Sequence, residues 1–406
     1  MNSTQNTRYA IALFAALALC PLAAHALGYR FPNQDPEAIA RGNAFVATAD
    51  NPSAVYYNPA GITQVEGQNI RAGVYLGSCG YDYVSPTGAK ASVDSSLQAV
   101  PQFYYAASLE DLPLSFGLGM YAPYGFSLDW GQNSPFSTVA QKGELLYLCI
   151  NPIIAWKILP NLSVGIGPTF NYSDANFQQG IDLSGYGLPD GESKLNGDGW
   201  AYGFNAGVRW QPHEKWVLGV NYRSATTVDY SGTSQVLLPA GLPSGTSAVV
   251  ATIRFPQFAV AGISFRPTED WNLEFDLDWA DWNSVHQITI NTPGSSNVWP
   301  LNYHSSFMYE FGITRQLGKG YFVSTGFIYS ENSSPDSDFN PIIPDTNLYL
   351  GSLGFGYRGK HWDWAAAYHF GYNPGRTVNN DIAFPEADGT YHVFNNAFNV
   401  AVTFKF

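Results

Sequence analysis

Alternate positions of residues 200–210, WAYGFNAGVRW, sort into two faces. Trp200, Tyr202, Phe204, Ala206, Val208 and Trp210 share one, and Ala201, Gly203, Asn205, Gly207 and Arg209 share the other. A period of two predicts a strand. Segment 216–223 repeats the pattern, with Trp216, Leu218, Val220 and Tyr222 opposite Val217, Gly219, Asn221 and Arg223. In 273–279, Leu273, Phe275, Leu277 and Trp279 oppose Glu274, Asp276 and Asp278. The chain ends in AFNVAVTFKF, where Phe398, Val400, Val402, Phe404 and Phe406 form one apolar row. The second face is polar or very small on strand after strand, and Trp and Tyr sit at the ends of the apolar rows. This pattern predicts a barrel with its apolar side chains outward in lipid, its polar side chains inward, and aromatic girdles at the two interfaces. A secreted all-β sandwich is the alternative. A final strand with an unpaired, sticky edge counts against it.

Turn residues order the strands. Short links at 110–113, 159–161, 212–215, 267–270, 318–320 and 359–361 alternate with long polar links at about 78–97, 126–142, 178–198, 231–250, 292–303, 333–346 and 374–390. Seven long and six short links join about fourteen antiparallel strands, an even number, with the short turns expected in the periplasm and the long loops outside. Both termini then lie on the periplasmic side, and the last strand can close on the first.

Composition narrows the class further. Charged residues are 13% and aromatics 16% of the 406 residues, too aromatic for a disordered chain. No run of 18 apolar residues follows the first stretch, so an ordinary transmembrane helix is excluded. That first stretch has Arg8, an apolar core from Ile11 to Leu19, and small residues at Ala24-His25-Ala26, which predicts a cleaved signal peptide over 1–26 and export. Its removal takes one base and no acid from 19 basic and 32 acidic residues, so the strongly negative balance argues against a nucleic-acid partner. Cys79 and Cys149 remain; an oxidising compartment permits them to pair, and two buried thiols are the alternative.

Residues 27–68 show no comparable alternation. They hold small residues, Asn-Pro steps and short helices expected at Pro36–Asn43 and Pro52–Tyr57. A barrel of about fourteen strands is too wide for lumen side chains alone to fill. The expected domains are therefore a hatch at 27–68, inside a barrel at 69–406. A flexible extension is the alternative, and the apolar Ile39, Phe45, Val46, Val55 and Tyr56 argue against it. Pro101, Pro123 and Pro152 fall in three neighbouring strands, where each removes a ladder hydrogen bond. Their clustering predicts a local break in the wall centred on Pro123-Tyr124-Gly125, whereas Pro168 and Pro256 read as isolated cases.

ADNPSAVYYNPAG, Ala49 to Gly61, resembles the hatch signature of the FadL/TodX-type outer-membrane transporters of long-chain fatty acids and other hydrophobic compounds. So do Gly28-Tyr29, GWAYGFNAGV with the following NYRS (Asn221–Ser224), FPQFAVAG (Phe255–Gly262), WADWN (Trp279–Asn283), GFIYS (Gly326–Ser330) and IPDT (Ile343–Thr346). The resemblance implies a passive transporter in the outer membrane with no cofactor, no metal and no catalytic residues. Its partners would be a hydrophobic ligand, membrane lipid and the barrel-assembly machinery, and it would act as a monomer. It further implies that Asn58, Pro59, Ala60 and Gly61 form the hatch gate. Gly28 and Tyr29 would lie at an inner ligand site, and Pro123, Tyr124 and Gly125 at a lateral opening. Phe126, Trp130, Phe136 and Phe177 are expected in an apolar landing groove among the loops. A fatty-acid carboxylate requires a cation; Arg223, Arg254 and Arg315 are candidates, with Arg223 assigned to the inner site and Asp276 or Asp278 as its competing acidic partners. The rival functions are a general aqueous porin and an outer-membrane lipase. For the latter, no nucleophile elbow or metal-ligand spacing accompanies any histidine.

Overall fold

The computed structural model describes residues 28–93, 97–109 and 111–406. The expected leader 1–26 and the Glu110 corner of the first short turn lie outside the described residues. No helix among the described residues is long and apolar enough to cross a membrane. The wall begins with β1 (Gln68–Val84), β2 (Lys90–Val93), β3 (Gln98–Ser108), β4 (Leu114–Asp129), β5 (Lys142–Leu159), β6 (Leu162–Ile181) and β7 (Gly191–His213). It continues through β8 (Trp216–Arg223), β9 (Thr226–Leu237), β10 (Gly245–Phe255), β11 (Phe258–Phe265), β12 (Trp271–Ala280), β13 (Gln287–Thr292) and β14 (Ser295–Pro300). It ends with β15 (Ser306–Gly318), β16 (Tyr321–Ser330), β17 (Leu348–Arg358), β18 (Trp362–Tyr372), β19 (Arg376–Val378) and β20 (Gly389–Lys405).

β20 pairs with β1 from Asn69↔Lys405 to Val84↔Thr390, which closes the cylinder and leaves the C-terminal strand no free edge. β2 and β19 are short additions at the loop end. β8 with β9, β10 with β11, β12 with β13, and β14 with β15 are each two lengths of one stave, so the closed antiparallel barrel has fourteen staves.

Period two decides which side faces which solvent. On β7, Trp200, Tyr202, Phe204, Val208 and Trp210 are exposed while Ala201, Asn205 and Arg209 are buried. On β20, Phe394, Phe398 and Phe404 are exposed while Asn395, Asn399 and Thr403 are buried. Exposed apolar rows around a polar interior are stable only in lipid. A charge on that surface should be costly: Ile166→Arg in the lipid-facing row is expected to lower unfolding free energy by up to about 2–4 kcal/mol, measured by denaturant titration in a bilayer.

Strands run further than the turn residues suggest. The segment 178–198, expected as a loop, is mostly β6 and β7, and 231–250 is largely the β9–β10 hairpin. Beyond the bilayer both strand faces meet water, so the alternation fades while the backbone ladder continues. The aromatic landing groove also differs from expectation. Phe126, Trp130, Phe136 and Phe177 are buried in an apolar cluster inside the loop end, and the Trp130 indole donates to Pro341 O at 2.8 Å. Cys79 and Cys149 are buried free thiols.

Candidate functional site

Residues 28–67 lie in the lumen, and nearly all are buried. The helix Pro36–Ala40 starts where Asp35 accepts the Glu37 N–H at 2.9 Å and a proline occupies the first turn. Charges fasten this segment to the wall. Arg71 of β1 holds Asp35 at 2.5 Å and Glu37 at 3.2 Å, and Arg358 of β17 holds Glu37 at 2.6 Å and Asp50 at 2.8 Å. Burial would raise the Asp50 carboxyl, but Arg358 carries it below the usual carboxylate range. That contribution is therefore present above the ordinary carboxylate pKa and lost only as pH falls well beneath it.

Asn58 is the joint of the segment. Its amide Nδ2 donates to Val46 O at 2.7 Å within the segment and to Val208 O of β7 at 3.0 Å, and its Oδ1 accepts the Ala60 N–H at 3.1 Å. Pro59 then opens the 3-10 helix Pro59–Gln64, whose first turn Asn58 caps. The wall admits this turn because β7 carries Gly207 opposite it: a Cβ there would lie 2.8 Å from Pro59 Cδ. Asn205 and Asn221 of the wall add bonds to Val55 O at 3.0 Å and Tyr56 O at 3.1 Å.

The three clustered prolines mark real interruptions. Pairing between β3 and β4 runs from Ser108↔Ser115 to Phe103↔Met120 and stops there, and β4 bulges against β5 between Tyr121 and Tyr124. Pro168, read from sequence as isolated, belongs to the adjoining break: the β5–β6 ladder skips from Ile150↔Phe170 to Ile154↔Ile166, across Pro152 and Pro168. The freed edge of β4 is not left bare. Gln34 Nε2 donates to Ala122 O at 2.6 Å, Phe31 N to Pro123 O at 2.8 Å, and Gly125 N to Tyr29 O at 2.9 Å. The luminal segment thus satisfies, from inside, backbone groups that a broken ladder would orphan. Gly125 does this with φ at 148°, a region that side chains beyond glycine rarely adopt.

Tyr29 and Tyr124 meet at this edge. The Tyr29 ring stands edge-on to Phe255 at 5.3 Å and to Trp282 at 4.9 Å, and its hydroxyl donates to Arg254 O. Tyr124 packs on Phe255 at 5.0 Å and on Tyr147 at 5.2 Å, and donates to Pro256 O at 2.7 Å. Gly28 N donates to Asp345 Oδ1 at 3.2 Å, which ties the start of the described chain to the IPDT motif.

Of the three candidate cations, Arg254 and Arg315 face outward and Arg223 is buried in the lumen. The acids expected to neutralise Arg223 are engaged elsewhere. Asp278 takes both guanidinium nitrogens of Arg30 at 2.7 Å each, and Asp276 accepts Phe45 N at 2.7 Å and Val46 N at 2.8 Å. Arg223 instead donates to the Tyr121 hydroxyl at 2.5 Å and to Cys149 Sγ at 3.7 Å, with the Tyr56, Tyr121 and Phe258 rings 5.3 to 5.9 Å from its centre. Among the described residues it has no carboxylate partner. Arg209, nearer the turn end, also lacks one among the described residues, whereas Arg30, Arg41, Arg71 and Arg358 all have one. Apolar, aromatic surroundings with one unneutralised cation suit an amphiphile with an anionic head or an uncharged aromatic. Sequence reasoning missed Arg30, Phe255, Trp282 and Asp345, although each adjoins or lies within a motif it had singled out.

With this geometry in view, a family model accounts for most of the chain. The model described as outer membrane protein transport protein (OMPP1/FadL/TodX) matches residues 18–406. The chain is 22% identical to the long-chain fatty acid transport protein of Escherichia coli O6:H1, over 96% of this chain and 98% of that one. It is 20% identical to outer membrane protein P1 of Haemophilus influenzae, over 85% and 86%. Among solved structures, a Pseudomonas aeruginosa FadL homologue superposes with a TM-score of 0.82 at 18% identity, covering 93% of this chain and 100% of that one. The Pseudomonas putida toluene transporter TodX superposes with a TM-score of 0.77 at 15% identity, covering 93% and 100%.

Proposed function

This chain belongs to the OMPP1/FadL/TodX family of outer membrane transport proteins, and from that premise we propose that it takes up hydrophobic small molecules passively and releases them sideways into the membrane. Long-chain fatty acids and uncharged hydrocarbons are the two ligand classes. The observation that carries the proposal is the interrupted β3–β4 ladder, closed from inside by Tyr29, Phe31 and Gln34. A ligand that displaces those residues uncovers the wall at the point where it must leave.

Energetics favour this route. An aqueous channel would hold each CH₂ of the ligand in water at about 0.8 kcal/mol, whereas an apolar passage that turns into lipid avoids that cost. In this reading the ligand enters through the apolar cluster at the loop end and displaces the rings of Tyr29 and Tyr124. Its head, if anionic, meets Arg223. Asn58, Pro59, Ala60 and Gly61 form the hinge on which the hatch shifts, and the opening lies at Pro123, Tyr124 and Gly125. The protein acts as a monomer delivered by the barrel-assembly machinery.

Arg223 separates the two ligand classes. Loss of a hydrogen bond to a charged group is worth about 1.5–3 kcal/mol. Arg223→Met should therefore reduce uptake of labelled oleate roughly ten- to a hundredfold and leave uptake of toluene within about twofold. Equal uptake of both compounds by the variant and the parent would remove Arg223 from the ligand site. The proposal itself is tested in reconstituted liposomes: oleate or toluene should cross while sugars do not. Rapid swelling in sugars would instead mark an aqueous porin.

A further inference from the structure

Four hydrogen bonds run head to tail from Arg223 to the hatch. Arg223 Nη2 donates to the Tyr121 hydroxyl at 2.5 Å, and that hydroxyl donates to Asn151 Oδ1 at 2.7 Å. Asn151 Nδ2 donates to Asn205 Oδ1 at 3.1 Å, and Asn205 Nδ2 donates at 3.0 Å to Val55 O, in the short helix Ala54–Tyr57. All five residues are buried. Each of the three middle side chains accepts one bond at its oxygen and passes one on, so none turns without disturbing the next.

The chain passes through both interruptions of the wall. Tyr121 is the last residue of β4 in register with β5 before the bulge that ends at Tyr124. Asn151 stands where the β5–β6 ladder skips, and its Nδ2 also donates across the gap to Pro168 O at 2.9 Å. At the far end lies the hatch, whose Tyr56 ring, next to Val55, stands edge-on to Tyr121 at 5.1 Å. Arg223 keeps a donor in reserve. Its buried Nε has no partner among the described residues, and its contact with Cys149 Sγ, at 3.7 Å, is to a weak acceptor.

Acceptor strength decides what a ligand does to this chain. A carboxylate takes a guanidinium through two parallel bonds between opposite charges, which outweighs one bond to a neutral hydroxyl. It therefore draws Arg223 from the Tyr121 oxygen. The Tyr121 hydroxyl then has a stronger acceptor in the carboxylate than in the neutral Asn151 amide. Once it turns, Asn151 Oδ1 is buried without a donor, which is costly. The amide finds a new donor only by rotating, which breaks its bonds to Pro168 O and Asn205, and Asn205 in turn releases Val55 O. An uncharged ligand offers no acceptor of that strength and leaves the chain intact.

We propose that Tyr121 is a second donor to an anionic ligand head, and that Asn151 and Asn205 are positioning residues that pass the arrival of that head to the hatch. The inference rests on the reading that such a head meets Arg223, and it adds how binding there loosens the helix Ala54–Tyr57. Two distinct sites and one element with two arrangements are what coupling requires.

The experiment uses the full-length protein in detergent and two probes of one chain length, oleate and its uncharged methyl ester. Amide hydrogen exchange over residues 54–57 and the affinity for each probe are measured. Oleate should speed exchange in that helix about tenfold, an ordinary size for coupling between two sites, while methyl oleate leaves it within about twofold. Coupling is reciprocal, so cutting the last link should tighten oleate by the same factor. Asn205→Ala should bind oleate about tenfold more strongly and methyl oleate as the parent does. A merely structural role for Asn205 would change both probes alike. Tyr121→Phe keeps the ring and its packing on Tyr56 and Tyr104, and should abolish the difference between the two probes in hydrogen exchange. Equal exchange with both probes in the parent, or slower exchange with oleate, would overturn the proposal. So would an Asn205→Ala barrel, assembled by its heat-modifiable mobility on gels, whose affinities shift equally or not at all. Failure of the parent to bind oleate would instead overturn the placement of the head at Arg223, and this proposal with it.

Discussion

Gly125→Leu is expected to cut uptake of oleate and toluene alike by roughly tenfold or more, the factor that about 1.4 kcal/mol represents, while the barrel still assembles. Gly125 has φ at 148°, so a leucine must either strain the chain or move it. Its N–H is also one of the groups by which β4 holds Tyr29 O at the interrupted edge. A side chain there would disturb the contact with Tyr29 that covers the interrupted edge. Because the pairing of β4 with β5 resumes at Tyr124↔Tyr147 and continues to Asp129↔Lys142, the wall has other means of holding its register. The measurements are labelled-ligand uptake in cells lacking other uptake routes and heat-modifiable gel mobility of the purified variant. Normal uptake by a correctly assembled Gly125→Leu barrel would place the exit elsewhere.

Asn58→Leu is the second large effect. The substitution keeps the side-chain size close but removes the donor to Val46 O and Val208 O and the acceptor for Ala60 N. One buried carbonyl and one helix-start N–H lose their partner, at about 1–3 kcal/mol for each group left unsatisfied, and the half-buried Val208 O loses its bond to the segment. That is enough to shift the population of hatch conformers by orders of magnitude, yet it touches no strand-to-strand bond. On the proposal that Asn58 is the hinge, uptake should fall because the segment no longer returns to one defined seat, and the segment 43–65 should become open to protease while the barrel stays resistant. Asn58→Asp, which keeps the acceptor for Ala60 N but not the donor, should fall between leucine and the parent. If neither variant alters uptake or protease access, Asn58 is only a helix cap.

Much of this was readable along the chain. The alternation at 200–210, 216–223 and 273–279, the small residues of the leading segment and the proline cluster are local signals, and each reports what a residue's immediate neighbours demand. A period of two tells which residues share a face, and the tryptophans and phenylalanines on that face tell that it meets lipid. The extent of the strands was less legible. In 178–198 both faces are polar, so a ladder that continues past the membrane leaves no contrast to read.

What the sequence by itself determined, then, is an inside-out barrel of about fourteen staves. Which luminal side chains meet was decided only by closure. The register Asn69↔Lys405 and the stagger of every hairpin bring Arg30 to Asp278, Arg71 to Asp35 and Arg358 to Asp50, across separations of up to 308 residues. The same geometry leaves Arg223 without an acid among the described residues, although Asp276 and Asp278 lie only two staves away. A lone charge in a buried lumen is costly or useful depending on what stands opposite. In a closed cylinder that is fixed by lateral register, a property of the whole wall that no stretch of chain carries alone.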